Sequence, residues 1–258
     1  MLGAYFMSLF IFDVGGIFRD SSRAIYEGFR RGFELEGLPY EFKVDDVWHL
    51  RGIEGFNNSR RAALALFSVQ RAGLDLGKIL EGDKPTSEIT TLIWDLTSGR
   101  DKKTIDRIWG QYKKFFSSEE ARQYMTIYPG CEEAVGKMAE VYDMVILSNS
   151  SKKTIERDIP FTKHFDKVYG RESVPAPKPS SKGILKVVDE CGYSRNKGQV
   201  YYVGDSVSDV IASKKARVNA VALYGGMGLK KHLERERPWY LFRDVPEMSA
   251  YFLEKLPG

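Results

Sequence analysis

Two patterns of hydrophobic and polar positions divide the chain. Short unbroken apolar runs, of the kind that form strands buried on both faces, occur at Leu9 to Phe12, Met144 to Leu147, Val200 to Val203 and Val218 to Leu223. A further strand is predicted near residue 167 and an edge strand at Trp239 to Phe242. Between Asp20 and about Met125 such runs vanish and helical periodicity takes over. There Ile25, Phe29 and Phe33 make an i, i+4 stripe on a first helix capped by Ser21 or Asp20. Later helices are predicted over Arg60 to Gln70, Thr86 to Leu96 and Thr104 to Phe116, separated by glycine-rich breaks near Gly52 to Gly55, Gly73 to Gly82 and Gly99.

Outside that region the strands alternate with helices: Glu132 to Tyr142, Lys182 to Cys191, Ser206 to about Ala216, a solvated helix at Leu229 to Arg237, and a closing helix at Glu247 to Leu256. The alternation predicts an α/β fold: a Rossmann-like parallel sheet, with strands near residues 9, 144, 167, 200 and 220, and an all-helical domain inserted after the first strand. The boundaries read as 1–20 and 126–258 for the sheet domain and 21–125 for the insert. Tyr128-Pro129-Gly130 returns the chain, and it is predicted to form a two-stranded hinge with Arg19 to Ser21.

The chemistry collects at strand ends. Asp13 stops the first run and is followed by Gly15 and Gly16, which permit a tight turn at the carboxyl edge of the sheet, where ligands bind in such folds. Ser148 and Asn149 end the next strand; alone, Ser148 reads as a helix cap. Lys178 is held between Pro177 and Pro179, so its backbone is stiff. Gly204-Asp205 puts a second carboxylate on a strand tip, and hard oxygen ligands converging there suit Mg²⁺. Asp209, four residues on, either supports that metal or caps the helix.

In this order Asp13, Ser148, Lys178 and Gly204-Asp205 resemble the four signature motifs of the haloacid dehalogenase (HAD) superfamily. The resemblance implies a HAD-like core with a C1-type helical cap. It also implies a Mg²⁺-dependent phosphatase acting on a small phosphorylated metabolite through an aspartyl phosphate. Asp13 would be the nucleophile, Ser148 and the Asn149 amide would hold the phosphoryl group, and Lys178 would neutralise charge. The metal would be held by Asp13, the Gly15 carbonyl and Asp205, with Asp209 in reach. In the cap, Arg51 and Asn57 lie in the glycine-containing stretch that reads substrate in relatives. One departure matters: the family's Asp-x-Asp-Gly-Thr is Asp13-Val14-Gly15-Gly16-Ile17 here, so the usual acid/base Asp is Gly15. Good leaving groups are therefore expected, with Asp20 or Glu54 as substitute proton sources. The alternatives are a catalytically impaired phosphate-binding regulatory protein, a phosphonate hydrolase (though no cap lysine offers its Schiff base) and, less favoured, a haloacid dehalogenase.

Composition adds exclusions. The chain has 258 residues, 43% hydrophobic and 29% charged, which is ordinary for a globular protein. A net charge of +4 with interleaved signs carries no nucleic-acid footprint. Two cysteines, Cys131 and Cys191, make no disulfide framework, and no apolar run is long enough for a membrane span. The reading is a cytoplasmic monomer or homodimer. The glycines at 225, 226 and 228 have no motif context for dinucleotide binding.

Overall fold

The computed structural model describes residues 8–97, 102–194 and 199–255. In chain order its strands are β1 (Leu9–Phe12), β2 (Arg19–Asp20), β3 (Thr126–Ile127), β4 (Asp143–Leu147), β5 (Lys167–Tyr169), β6 (Val200–Gly204), β7 (Asn219–Leu223) and β8 (Tyr240–Phe242). The helices are α1 (Ser22–Leu35), α2 (Val44–Gly52), α3 (Ser59–Arg71), α4 (Leu76–Glu81), α5 (Thr86–Asp95), α6 (Lys102–Phe116), α7 (Glu119–Arg122), α8 (Cys131–Ala139), α9 (Lys152–Asp158), α10 (Lys182–Glu190), α11 (Val207–Ala216), α12 (Lys230–Arg235) and α13 (Val245–Lys255). The described residues fall into two units. One takes in the chain up to Arg19, Ile127–Gly226 and the residues from Leu233 on; the other takes in Asp20–Thr126 and Met227–His232.

The first unit is built on a six-stranded sheet in the order β5-β4-β1-β6-β7-β8. Every pairing in it is parallel, so the predicted α/β architecture is found. β1 lies between β4 and β6, and Phe12 pairs in register with Ile146 on one side and Val203 on the other. All four β1 residues are buried, which is why the strand reads as a continuous apolar run. Its side chains alternate between two cores. Phe10 and Phe12 join Met144, Ile146, Val203 and Phe252 on one face. Leu9 and Ile11 join Val145, Leu147, Tyr202 and Val187 on the other. Phe10 anchors the first of these, stacked on Tyr201 at 4.7 Å and edge-on to Phe252 at 5.0 Å. β8 is the edge strand expected from Trp239 to Phe242. The short β2 and β3 pair where the chain leaves for the helical unit and returns from it.

Apart from the strand residues Asp20 and Thr126 at its ends, the regular structure described in the second unit is helical. Ile25, Phe29 and Phe33 of α1 are buried as their spacing predicts, and Phe29 stacks on Tyr112 of α6 at 4.3 Å. The α1–α6 approach depends on two glycines: a Cβ at Gly28 would come within 2.9 Å of the Tyr112 ring, and one at Gly32 within 2.7 Å of the Ile108 carbonyl oxygen. Ser21 is the N-cap residue of α1 but its side chain makes no capping bond. The carboxylate of Asp20 takes that role, accepting from the Ser22 N–H at 2.8 Å.

Two features differ from the sequence reading. The expected break at Gly73 to Gly82 contains α4, nucleated by Asp75, whose side chain accepts from the Lys78 N–H at 3.1 Å. A six-residue helix is too short to show a periodicity. Residues 227–232, assigned by sequence to the sheet domain, group with the helices. Met227 packs in their core and its carbonyl meets His49 Nδ1 at 2.8 Å, while His232 Nε2 meets the Leu80 carbonyl at 2.9 Å. The expected break at Gly99 lies outside the described residues. Among the described residues no helix is long and apolar enough to cross a membrane.

Adding a methyl group at the α1–α6 contact must push against backbone. Gly32→Ala is expected to destabilise the protein by about 1–3 kcal/mol in urea unfolding, despite alanine's better helix propensity. An unchanged or raised midpoint would contradict the close packing described here.

Candidate functional site

The parallel register aligns the carboxyl ends of β4, β1 and β6, and the polar residues that follow them are buried there. Asp13 is 5% exposed and Asp205 fully buried. The Asp13 N–H still donates to the Val203 carbonyl at 2.9 Å, so the sheet ladder fixes its backbone. The chain then turns sharply, with Phe18 N–H bonded back to the Val14 carbonyl at 3.0 Å. Of the two glycines in the turn, only Gly16 is left-handed, with φ +73°. Ile17, which stands in place of the family's threonine, is 2% exposed and packs in the apolar core.

Lys178 ties the site together. Its Nζ lies 2.7 Å from Asp13 Oδ2 and 2.7 Å from Asp209 Oδ1, and all three side chains are under 8% exposed. The other oxygen of Asp209 accepts from the Ser206 N–H at 3.0 Å and the Ser206 hydroxyl at 2.6 Å, closing a capping box on α11. Asp209 therefore caps the helix with one oxygen and holds Lys178 with the other. Ligand atoms of Asp13, Asp205 and Asp209 all lie within 4.8 Å of one another. Burial alone would lower the pKa of Lys178, but the Asp13 and Asp209 carboxylates outweigh it and hold the ammonium well above its ordinary value. Burial pushes the Asp13 carboxyl up, Lys178 opposes the rise, and the like charge of Asp209 adds to it. These hard oxygen donors, gathered within reach of one another, fit a divalent cation.

Small residues make room for these carboxylates. A Cβ on Gly16 would stand 1.7 Å from Asp205 Oδ2, one on Gly226 would stand 2.3 Å from the same atom, and one on Gly204 would stand 2.3 Å from the Asp209 Cβ. Gly226 belongs to the glycine cluster that carries no motif in sequence; its work is to let the loop after β7 close against Asp205. Tyr202 is a second residue that the sequence reading missed. Its hydroxyl lies 3.4 Å from both Asp209 Oδ1 and the Leu147 carbonyl, and the Lys178 ammonium sits 5.5 Å from its ring centroid. In the sequence it is one more apolar-run aromatic.

Ser148 and Asn149 line one small pocket with Lys178, Ala176 and Ser180. The Ser148 hydroxyl accepts from the Ser150 N–H at 3.3 Å. Arg51 and Asn57 lie in the helical unit and touch each other. Arg51 Nη2 donates to the Asn57 backbone carbonyl and, at 3.3 Å, to its side-chain oxygen. Of the expected substitute acids, Asp20 has Oδ1 engaged by the Ser22 N–H. The Glu54 backbone carbonyl accepts from Thr90 at 3.1 Å.

Comparison with known proteins bears on this geometry. The sequence model of the family described as haloacid dehalogenase-like hydrolase matches residues 85–223, a span that includes Ser148, Lys178, Asp205 and Asp209 and stops short of Asp13. A phosphoglycolate phosphatase of Psychrobacter arcticus is 23% identical over 61% of this chain and 69% of its own length. One from Pseudomonas syringae pv. tomato is 24% identical over 57% of this chain, which spans only about half of that relative (54%). A solved structure from Lactobacillus delbrueckii subsp. bulgaricus superposes with a TM-score of 0.76 at 17% identity, covering 95% of this chain and 98% of that one. A haloacid dehalogenase-like hydrolase from Streptococcus pneumoniae gives 0.66 at 17%, covering 95% and 98%. At these identities the structural likeness is one of fold.

The ion cluster has a definite pH signature. Because the folded pKa of Lys178 lies above its unfolded value of about 10.4, its stabilising contribution is complete below that pH and is lost only as pH rises through the folded value. Removing it by Lys178→Met leaves the buried Asp13 and Asp209 without their shared cation. In chelator at pH 7.5 this is expected to cost about 3–5 kcal/mol, shrinking as pH falls and the raised Asp13 carboxyl protonates. A pH-independent loss in denaturant titrations would contradict the pairing.

Proposed function

We propose that this chain, which belongs to the haloacid dehalogenase-like hydrolase family, is a divalent-metal-dependent phosphatase acting on a small phosphorylated metabolite. The observation that carries this reading is the buried ammonium of Lys178 held between Asp13 and Asp209 at the sheet edge, with Asp205 fully buried beside them. Asp13 and Asp205 would hold Mg²⁺ with the Gly15 carbonyl, and Asp209 would stand behind, holding Lys178. When bound, the ion supplies charge neutralisation for the phosphoryl oxygens.

In this mechanism a carboxylate oxygen of Asp13 attacks phosphorus as the bond to the leaving oxygen breaks, giving an aspartyl phosphate. Lys178 stays protonated, as its raised pKa requires, and stabilises charge on the equatorial oxygens. The Ser148 hydroxyl and the Asn149 N–H position the phosphoryl group. Water then attacks phosphorus, releases phosphate and restores Asp13. Position 15 has no side chain to protonate the leaving group, so the reading includes a preference for good leaving groups. The relatives named phosphoglycolate phosphatase support a small phosphorylated acid as substrate. A phosphate-binding protein without turnover is the second reading, favoured by the same missing side chain.

Two outcomes are expected. Hydrolysis of p-nitrophenyl phosphate will require Mg²⁺, stop with EDTA, and fall by about 10³-fold or more in Asp13→Asn; metal-bound, folded protein with no turnover would move the reading to the regulatory one. Gly15 is not left-handed, so its backbone accepts a side chain. Gly15→Asp is expected to raise the rate on an alkyl phosphate by about 10²- to 10⁴-fold, the usual worth of general acid/base help. An unchanged or lower rate would contradict the leaving-group argument.

A further inference from the structure

We infer that Tyr202 is a positioning residue that lets Lys178 be shared: its hydroxyl becomes the donor to Asp209 when the ammonium is drawn to a phosphoryl group on Asp13. The covalent phosphoryl group in this assignment rests on the phosphatase reading above. Tyr202 lies on β6 and is 1% exposed. Its hydroxyl stands 3.4 Å from Asp209 Oδ1 and 3.4 Å from the Leu147 carbonyl oxygen. A hydroxyl carries one proton, so it donates to one of these acceptors at a time. Both distances exceed the usual range of about 2.5–3.0 Å, so the proton is committed to neither.

The demand for a second donor arises from how Asp209 is held. Its Oδ2 accepts from the Ser206 N–H and hydroxyl, and its Oδ1 faces Lys178 Nζ at 2.7 Å. The same ammonium meets Asp13 Oδ2 at 2.7 Å. Once Asp13 carries a phosphoryl group its carboxylate charge is gone, and the negative charge lies farther out on the phosphoryl oxygens. Nζ is drawn after that charge and away from Asp209. Asp209 is 1% exposed, and a carboxylate oxygen that loses its donor at that depth is costly. Rotation of the Tyr202 hydroxyl from the Leu147 carbonyl to Oδ1 removes the cost. Every group involved lies in the unit built on the six-stranded sheet.

Tyr202→Phe isolates the hydroxyl, because phenylalanine keeps the ring whose centroid lies 5.5 Å from Nζ. The first readout is steady-state hydrolysis of p-nitrophenyl phosphate with Mg²⁺. In the variant kcat is expected to fall about tenfold or more, the worth of a hydrogen bond to a charged group, while KM changes by less than about threefold. The second readout needs no turnover. Beryllofluoride, which adds to a carboxylate as a phosphoryl group does, is titrated with Mg²⁺ against the melting temperature. The concentration giving half-maximal protection is expected to rise about tenfold or more in Tyr202→Phe. In Asp209→Asn, which lacks the charge that calls for a second donor, adding Tyr202→Phe is expected to shift that concentration by less than about twofold. The first two readouts decide alone if Asp209→Asn does not fold.

A fall in kcat together with weakened beryllofluoride protection supports the shared ammonium. Protection that depends on Tyr202 in a protein that hydrolyses no ester supports the role of Tyr202 while the phosphatase reading fails. Turnover by the wild type with protection unchanged in Tyr202→Phe would overturn the inference and leave the phosphatase reading standing. A variant that is merely less stable, equally so with and without beryllofluoride, would also overturn it and leave Tyr202 as a brace between β6 and the end of β4.

Discussion

A single ammonium group placed between two buried carboxylates governs the architecture of the sheet edge. Lys178 meets Asp13 and Asp209 at 2.7 Å each, and neither carboxylate is tolerable at that depth without it. Each partner is fixed by a different device. The β1 ladder holds Asp13, the capping box of α11 holds Asp209, and the ring of Tyr202 lies beneath the ammonium. The glycines follow from the same demand, because Gly16, Gly204 and Gly226 are the positions where a Cβ would collide with Asp205 or Asp209.

The carboxylate cluster is the link from fold to function. Asp13, Asp205 and Asp209 bring hard oxygen atoms within 4.8 Å of one another, a donor set suited to a divalent cation. In the phosphatase reading proposed above, a divalent ion would answer the carboxylates, and Lys178 with the Ser148–Asn149 strand end would answer the phosphoryl oxygens. On that reading Gly15 would spare binding and nucleophilic attack and remove only the proton donor.

Much of this was legible in the sequence, for identifiable reasons. Strands buried on both faces produce unbroken apolar runs, so β1, β4, β6 and β7 stand out, and the polar residues ending them mark the sheet edge. The α1 stripe was visible because its three apolar residues repeat at the helical period. The illegible parts depend on contacts through space. Gly226 meets Asp205 only because the loop after β7 folds back, and Tyr202 looks like any strand aromatic until its hydroxyl is seen at Asp209. Residues 227–232 carry no local signal that their carbonyls and side chains belong to the helical unit. The short α4 hides inside a glycine-flanked stretch where only its Asp75 cap betrays it.

The central claim is that Asp13 becomes covalently phosphorylated. Acid-quenching the enzyme during turnover of p-nitrophenyl phosphate with Mg²⁺, followed by peptide mass mapping, tests it directly. The account predicts one added phosphoryl group on the peptide containing Asp13, removable by hydroxylamine as an acyl phosphate must be. Release of p-nitrophenol with no phosphorylated peptide, or with the group on another residue, would contradict it.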